Sequence, residues 1–379
     1  MDFGVYHLQA LSAFHFGLRG VELEATATHA PSDTLFSALC HALREQFGLA
    51  CLQEFLLGFA EPEPPVTLSS AFPYALARGE KQEDWVLPRQ IEAGQAVRFF
   101  PRPLDWPPGL PDLADERKNV KGIEWVSETL FRGWINGENL SAHWRKENWV
   151  HDKHVWLTEQ ERQQIAGWRD EDSDEIRLWT VGDVPRVTVD RRHSGSAVYQ
   201  AGQLRFQPGG GLWLLARWHE DWRQRGETAL RVLGETGIGG ERSSGYGQFI
   251  LHGPHSVAAL PEPIAGERFV TLALYFPKEQ ELPAVLKDER VSYRLRVRRG
   301  WMSSPDQVQG PGGKAVRGSA LRRRAVRMFA EGSLLYWPEG RTTLGDLADV
   351  TPEAFDPARG GHNVWRYGYA LPVRYRGGA

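Results

Sequence analysis

Cysteine is scarce: Cys40 and Cys51 are the only two in 379 residues. That is too few for a disulfide framework, so both are expected as reduced core thiols. Long apolar runs are missing as well. No stretch approaches the ~18 apolar residues of a membrane-crossing helix, and the opening MDFGVYHLQALSAFHFG has neither a basic nor an apolar leader region. A cytoplasmic protein without membrane association is the expectation. There is no CxxC pair, HExxH helix, P-loop ending or GGDD-type pair, so metal-dependent and nucleotide-polymerising chemistry carry no signal. His151, Asp152, Lys153 and His154, with His143 nearby, have no matching cluster elsewhere and read as a polar loop rather than a metal site. Neither a metal nor a cofactor is expected.

What is present is ordinary in bulk and uneven in detail. Hydrophobic residues make up 41% and charged residues 25%, enough for a sizeable core, and the length favours two domains. The net charge of −3 argues against a general polyanion binder. Between residues 290 and 330, however, eleven basic residues face one acid, Asp306, a local +10 that leaves −13 for the rest of the chain. A split of this size points to a local polyanion site, nucleic acid being the commonest such partner, against a merely solvated basic surface.

Tyr6, Leu8 and Ala10 alternate with His7 and Gln9 as in a strand, and Val21, Leu23 and Ala25 with Glu22 and Glu24 as in a second. Leu35, Leu39, Leu43 and Phe47 then follow at helical spacing behind Pro31, with Ser32 or Asp33 as the expected N-cap and Gly48 as the stop. Residues 75–182 are rich in Pro, Trp and charge, without long periodic core segments, and read as insertions on a scaffold. Strand patterns resume at Val184, Val187 and Val189, at Leu204 and Phe206, and at 212–215. A helix over 218–233 and a strand over 246–251 follow. Beyond a proline-rich break at 253–266, residues 269–276 and 365–373 read as strands. Tyr293, Leu295 and Val297 alternate with Arg294, Arg296 and Arg298, which places three arginines on one strand face. The order favours an α+β fold with antiparallel sheets, best matched by two ferredoxin-like halves.

The most informative segment is Gly237-Ile238-Gly239-Gly240-Glu241-Arg242-Ser243-Ser244-Gly245-Tyr246-Gly247. Its glycines permit positive φ and close approach of a ligand to main-chain N–H groups, while Arg242, Ser243 and Ser244 suit phosphate. A nucleotide loop would lie between strand and helix; here a helix precedes and a strand follows. A tight turn alone needs one or two glycines, and this segment has five.

GIGGERSSGYGQF resembles the glycine-rich loop of the RAMP superfamily, which builds CRISPR effector backbones. SDTLFSAL at 32–39 behind His15-Phe16-Gly17, FPRPL at 100–104, the basic stretch 117–121 leading to Gly137, residues 187–192, RRRAVRMFAEG at 322–332, and Gly361-His362 through the last strand resemble one branch. That branch is the subunit-four family of type III-A (Csm) complexes, and the pieces run in order along nearly the whole chain. The resemblance implies two ferredoxin-like, RNA-recognition-motif-like domains, at 1–255 and 266–379. The first would carry insertions at about 75–182 and a β-hairpin thumb at about 187–206.

It also implies a non-catalytic role in RNA-guided antiviral defence. The chain would bind the repeat-derived 5′ handle of the CRISPR RNA (crRNA) and contact a large polymerase-palm subunit and a repeating backbone RAMP subunit. Target RNA would lie near the thumb. The RNA-contacting residues so implied are His15, Phe16, Gly17, Arg191, Arg192, Gly237, Gly239, Gly240, Arg242, Ser243, Ser244, Gly245, Tyr246, Arg322, Arg323 and Arg324. The Trp-rich stretch 142–179 matches nothing in that family. Two alternatives stay open: an RNA-processing endonuclease of the Cas6 type with His15 or His29 as general base, and the equivalent RAMP of a type III-B complex.

Overall fold

The computed structural model describes residues 3–17, 25–79, 86–92, 94–170, 173–189, 196–256, 259–304, 307–309, 315–355, 357 and 361–377. The expected strand at Val21–Ala25 falls largely outside these. In chain order the first half contains β1 (Gly4–Ala10), α1 (Ser32–Leu57), β2 (Val66–Leu68), β3 (Phe72–Leu76), β4 (Ala96–Pro101), α2 (Ala114–Gly122), β5 (Trp125–Ser127) and α3 (Glu128–Asn136). It continues with β6 (Trp149–Val150), β7 (Val155–Trp156), α4 (Glu159–Gln164), β8 (Trp179–Val189), β9 (Ser196–Phe206), β10 (Gly210–Trp218), α5 (Glu220–Thr236) and β11 (Phe249–His255). The second half adds β12 (Arg268–Thr271), α6 (Leu282–Val285), β13 (Leu295–Arg298), β14 (Gln307–Gln309), β15 (Ala315–Arg317) and β16 (Val326–Phe329). β17 (Leu334–Tyr336), β18 (Leu347–Asp349), β19 (Trp365–Tyr367) and β20 (Pro372–Tyr375) complete it.

The β1 alternation has a clear purpose. Tyr6 points toward α5, where its hydroxyl donates to Glu227 at 2.9 Å. His7 and Gln9 point the other way and are buried too, against Tyr74 and His252; β1 lies between β11 and β10 in the order β11-β1-β10-β3-β4-β5-β7-β6, with β2 also pairing β10. All these pairings are antiparallel except β5 with β7. Residues 75–182 therefore extend the main sheet through β4 to β7. The tryptophans of this region belong to the core: Trp134, Trp156 and Trp168 are among the largest fully buried side chains.

α1 runs past its expected stop. Gly48 leaves helical geometry (φ 86°, ψ 174°), but the chain resumes helix to Leu57, where Phe55 packs edge-on against Trp222 of α5 (5.1 Å). The N-cap is Pro31, with no side-chain capping bond; Asp33 lies inside the first turn and is engaged elsewhere. Further on, the 269–276 strand is realised only as β12, and 365–373 as two strands in different sheets. β12 lies between β17 and β20. One hydrophobic core runs through both halves, from Val5 and Phe36 to Tyr367 and Val373.

Candidate nucleic-acid interface

Segments far apart in sequence meet over the first turns of α1 and line a cleft of about 380 Å³. The first is the strand end after β1. Phe14 exchanges two 2.8 Å main-chain bonds with Leu204 of β9, and the buried His15 donates from Nδ1 to the Gly202 carbonyl at 2.8 Å. The His15 carbonyl in turn accepts from Gly240 N at 2.9 Å. The β8–β9 hairpin, the strand end and the glycine loop are thus tied in series.

Packing accounts for most of the loop's glycines. At Gly239 (φ 89°) a Cβ would sit 2.4 Å from the His15 carbonyl oxygen, and at Gly240 one would sit 2.7 Å from the His15 ring. Gly237 and Gly247 meet the carbonyls of Tyr246 and Ile238 as closely. Gly245 has open space around it and stands exposed with Arg242, Ser243 and Ser244. Tyr246 is buried, its ring under the Arg186 guanidinium of β8 at 5.0 Å and its hydroxyl donating to Gln203 at 3.4 Å. Gly239→Ala is expected to cost about 1–3 kcal/mol through strain and displacement of the loop. Urea unfolding tests this, and an unchanged midpoint would mean the loop does not pack on His15.

The second wall is α1. Thr34, Ser37 and His41 line the cleft at i, i+3 and i+7, beside the buried stripe of Leu35, Leu39 and Leu43. Burial, with Arg242 and Arg323 nearby, lowers the His41 pKa and keeps its imidazole neutral.

The third wall comes from the second half: Arg298 at the end of β13, Arg299, Gly300 and Trp301 just beyond it, Arg323, and Arg366 of β19. Asp33, wholly buried, accepts from Arg298 Nε at 2.9 Å and Nη2 at 3.1 Å, and from Arg366 Nη1. Burial alone would raise its pKa, but the two guanidiniums prevail and hold the carboxyl well below the usual carboxylate range. Arg298 also donates to Thr34 Oγ1 at 3.1 Å and to the Gly17 carbonyl at 3.4 Å. Below this clamp a second buried network joins the halves. Glu331 accepts from Ser70 at 2.5 Å and pairs with Arg296 at 3.6 Å, and Arg296 donates to His29 Nε2 at 3.1 Å.

Five guanidinium groups and one carboxylate therefore line the cleft, and that carboxylate already serves two of them. Among the described residues no carboxylate lies within ion-pair distance of Arg242, Arg299 or Arg323. Arg323 donates to Ser37 at 3.4 Å, leaves its Nε buried without a partner, and is pushed down to about 10 by burial and by Arg366. A half-buried excess of positive charge of this kind matches an anionic ligand.

The expected site residues divide accordingly. His15, Phe16, Gly17, Gly239, Gly240, Arg242 and Arg323 come together in the cleft. Ser243, Ser244 and Gly245 stand exposed beside it. Arg322 lies over the Trp301 ring at 4.6 Å, and Arg324 turns to Asp349 at 3.4 Å. Arg191 and Arg192 lie outside the described residues. Arg298 and Arg299 belong to the basic segment read as a polyanion site, whereas Asp33, Thr34, Ser37, His41 and Arg366 escaped the sequence reading as site residues. The polar residues interleaved with the α1 leucines were the available signal.

Comparison with known proteins gives the family. Residues 265–375 match the family model described as the CRISPR Csm4 C-terminal domain. The CRISPR system Cms protein Csm4 of Mycobacterium tuberculosis, in strains CDC 1551 / Oshkosh and ATCC 25618 / H37Rv, is 33% identical over 359 residues, covering 95% of this chain and 93% of the relative. The fold is similar to a chain in the crystal structure of a Csm3-Csm4 subcomplex of the type III-A CRISPR-Cas interference complex (TM-score 0.59, 14% identity, 99% of this chain and 100% of that one). It is also similar to a chain in a Csm1-Csm4 cassette in complex with cA4 (TM-score 0.54, 17% identity, 100% of both). These likenesses define the class as the RAMP subunits of type III CRISPR–Cas systems. Within it, the chain belongs to the Csm4 family. Among the described residues no helix is long and apolar enough to cross a membrane.

Proposed function

We propose that this chain is a non-catalytic subunit of a type III-A effector complex that holds the repeat-derived 5′ handle of the crRNA in the arginine-lined cleft. It docks a large polymerase-palm subunit on one side and the repeating backbone RAMP on the other. The observation that carries this reading is the cleft itself, with five guanidiniums against one carboxylate beside an exposed Arg-Ser-Ser loop tip. Relatives of similar fold occur in Csm1-Csm4 and Csm3-Csm4 assemblies, which supports the two protein partners.

On this reading β1, α1, β3, β10, α5 and β11, in the order β11-β1-β10-β3, form a ferredoxin-like domain within residues 1–255. β12, β17 and β20 belong to a second one within 266–379. The β8–β9 hairpin, eleven residues per strand with Val181, Val187 and Val198 exposed, is the thumb that meets the guide–target duplex, and it places target RNA near the cleft. Phosphates of the handle take Arg242, Arg299 and Arg323, with about 0.7 counterions released for each phosphate neutralised. An endonuclease finds little support, because both candidate bases are buried and engaged: Arg296 donates to His29 Nε2 at 3.1 Å, and His15 donates from Nδ1 to the Gly202 carbonyl.

The test is co-expression of the tagged chain with its operon partners and a CRISPR array, followed by sequencing of the 5′ ends of co-purified RNA. RNAs sharing one repeat-derived 5′ end, together with the large subunit, are expected. Random ends, or no RNA and no partners, would overturn the proposal.

A further inference from the structure

The β13–β16 ribbon is built inside out. Arg296 and Arg298 turn inward to Glu331 and Asp33. Tyr293, Leu295 and Val297, on the opposite parity, are left 45%, 50% and 37% exposed. The register is not accidental, because a one-residue slip would reverse every side chain, and a buried ion pair at Arg298 and a half-buried one at Arg296 hold it where it is. Turning arginines inward while exposing a row of apolar side chains is unfavourable for an isolated chain and becomes favourable once the outer row is covered. The rim says what covers it. Arg327 sits directly across from Val297, and Arg322 stands exposed over the Trp301 ring. Among the described residues no carboxylate lies within ion-pair distance of Arg322 or Arg327.

We propose that the outer face of β13–β16 is a protein-docking surface whose occupant is an apolar patch with an acidic rim on a neighbouring subunit of the same complex. An apolar centre with an arginine-rich, aromatic border is the anatomy of a protein interface. The centre at Leu295 and Val297 is aliphatic, and only the border, at Tyr293 and Trp301, carries a π-face on which a base could stack. This inference rests on the assembly reading above and adds the surface that reading lacks.

The test places p-benzoylphenylalanine at Leu295 in the tagged full chain, co-expressed with the large subunit, the repeating RAMP subunit and a CRISPR array, and the purified complex is irradiated. The expected product is an adduct to one of those two subunits, at a peptide carrying Asp or Glu. In parallel, Leu295→Asp with Val297→Asp is expected to reduce recovery of that subunit at least about tenfold. The free chain should keep its unfolding midpoint, since both positions are exposed. An adduct to RNA or to a second copy of this chain, or no adduct in an assembled complex, overturns the docking proposal alone. Failure of the unsubstituted chain to recruit either subunit overturns the assembly reading with it.

Discussion

Asp33→Ala is expected to destabilise the chain by on the order of 3–5 kcal/mol, the range for removing one partner of a buried ion pair. The carboxylate is wholly buried and neutralises two guanidiniums that are themselves 4% and 2% exposed. Without it, Arg298 and Arg366 remain side by side in a low-dielectric interior, where their acceptors include the neutral Gly17 carbonyl and Thr34 hydroxyl for the one and the Arg299 carbonyl for the other. Because Asp33 belongs to α1 and both arginines come from the second half, the loss falls on the junction between the halves and on the cleft they jointly form. A double-mutant cycle with Arg366→Met by urea unfolding separates pairing from packing. The double variant should recover part of the loss, since an uncompensated buried charge is removed. A cost below 1 kcal/mol for Asp33→Ala would show that the clamp does not hold the halves together.

The same carboxylate predicts an acid limb. Its folded-state pKa lies well below the unfolded value near 3.9. Its contribution is therefore complete above that value and is lost as pH falls toward the folded value. Glu331 acts in the same direction: burial opposes ionisation, but Arg296 and the Ser70 hydroxyl prevail. The unfolding midpoint of the unsubstituted chain should fall below about pH 4, and the Asp33→Ala variant should show a shallower fall over the same range.

How far the sequence foretold this arrangement depends on the range of the interactions. The α1 helix and the β13 alternation were legible because periodicity is local. The direction in which the arginine face points was not, because it is decided by Asp33 and Glu331, which lie 265 and 35 positions from their arginines. Asp33 read as a helix cap for the same reason: Asp in a first turn has a common local explanation, and its real partners come from the other half of the chain. Residues 75–182 read as insertions because β6 and β7 have two residues each, too short for any period to register, while Trp134 and Trp156 fill the core from positions no pattern relates. The glycine loop was conspicuous from the outset, yet four of its five glycines answer to packing against His15, Ile238 and Tyr246. The parts of the loop free to meet a ligand are its tip and the arginine wall opposite.

That division sets the expected effects on RNA capture. Arg323→Ala and Arg242→Ala should each weaken binding of a repeat-derived 5′ handle about tenfold to a hundredfold, as expected for losing a charge-assisted hydrogen bond of about 1.5–3 kcal/mol. Each should also lower the slope of log K against log salt by about 0.7 per phosphate contact removed. Arg323 should show the larger loss, because it is half-buried, already braced on Ser37, and carries a buried Nε with no partner. Ser243→Ala added to Arg242→Ala removes a hydroxyl but no charge, so it should deepen the loss without changing the slope further. Arg324→Ala is the internal control. Its guanidinium is engaged with Asp349 outside the cleft, and both affinity and slope should stay within about twofold of the unsubstituted chain. Filter binding across a salt series decides among these. If Arg323→Ala and Arg324→Ala behave alike, the basic segment acts only through its overall field and the cleft is not where the handle sits. A selective loss at Arg323 and Arg242, with the slope reduced at both, assigns the phosphate contacts to the two facing walls of one cleft.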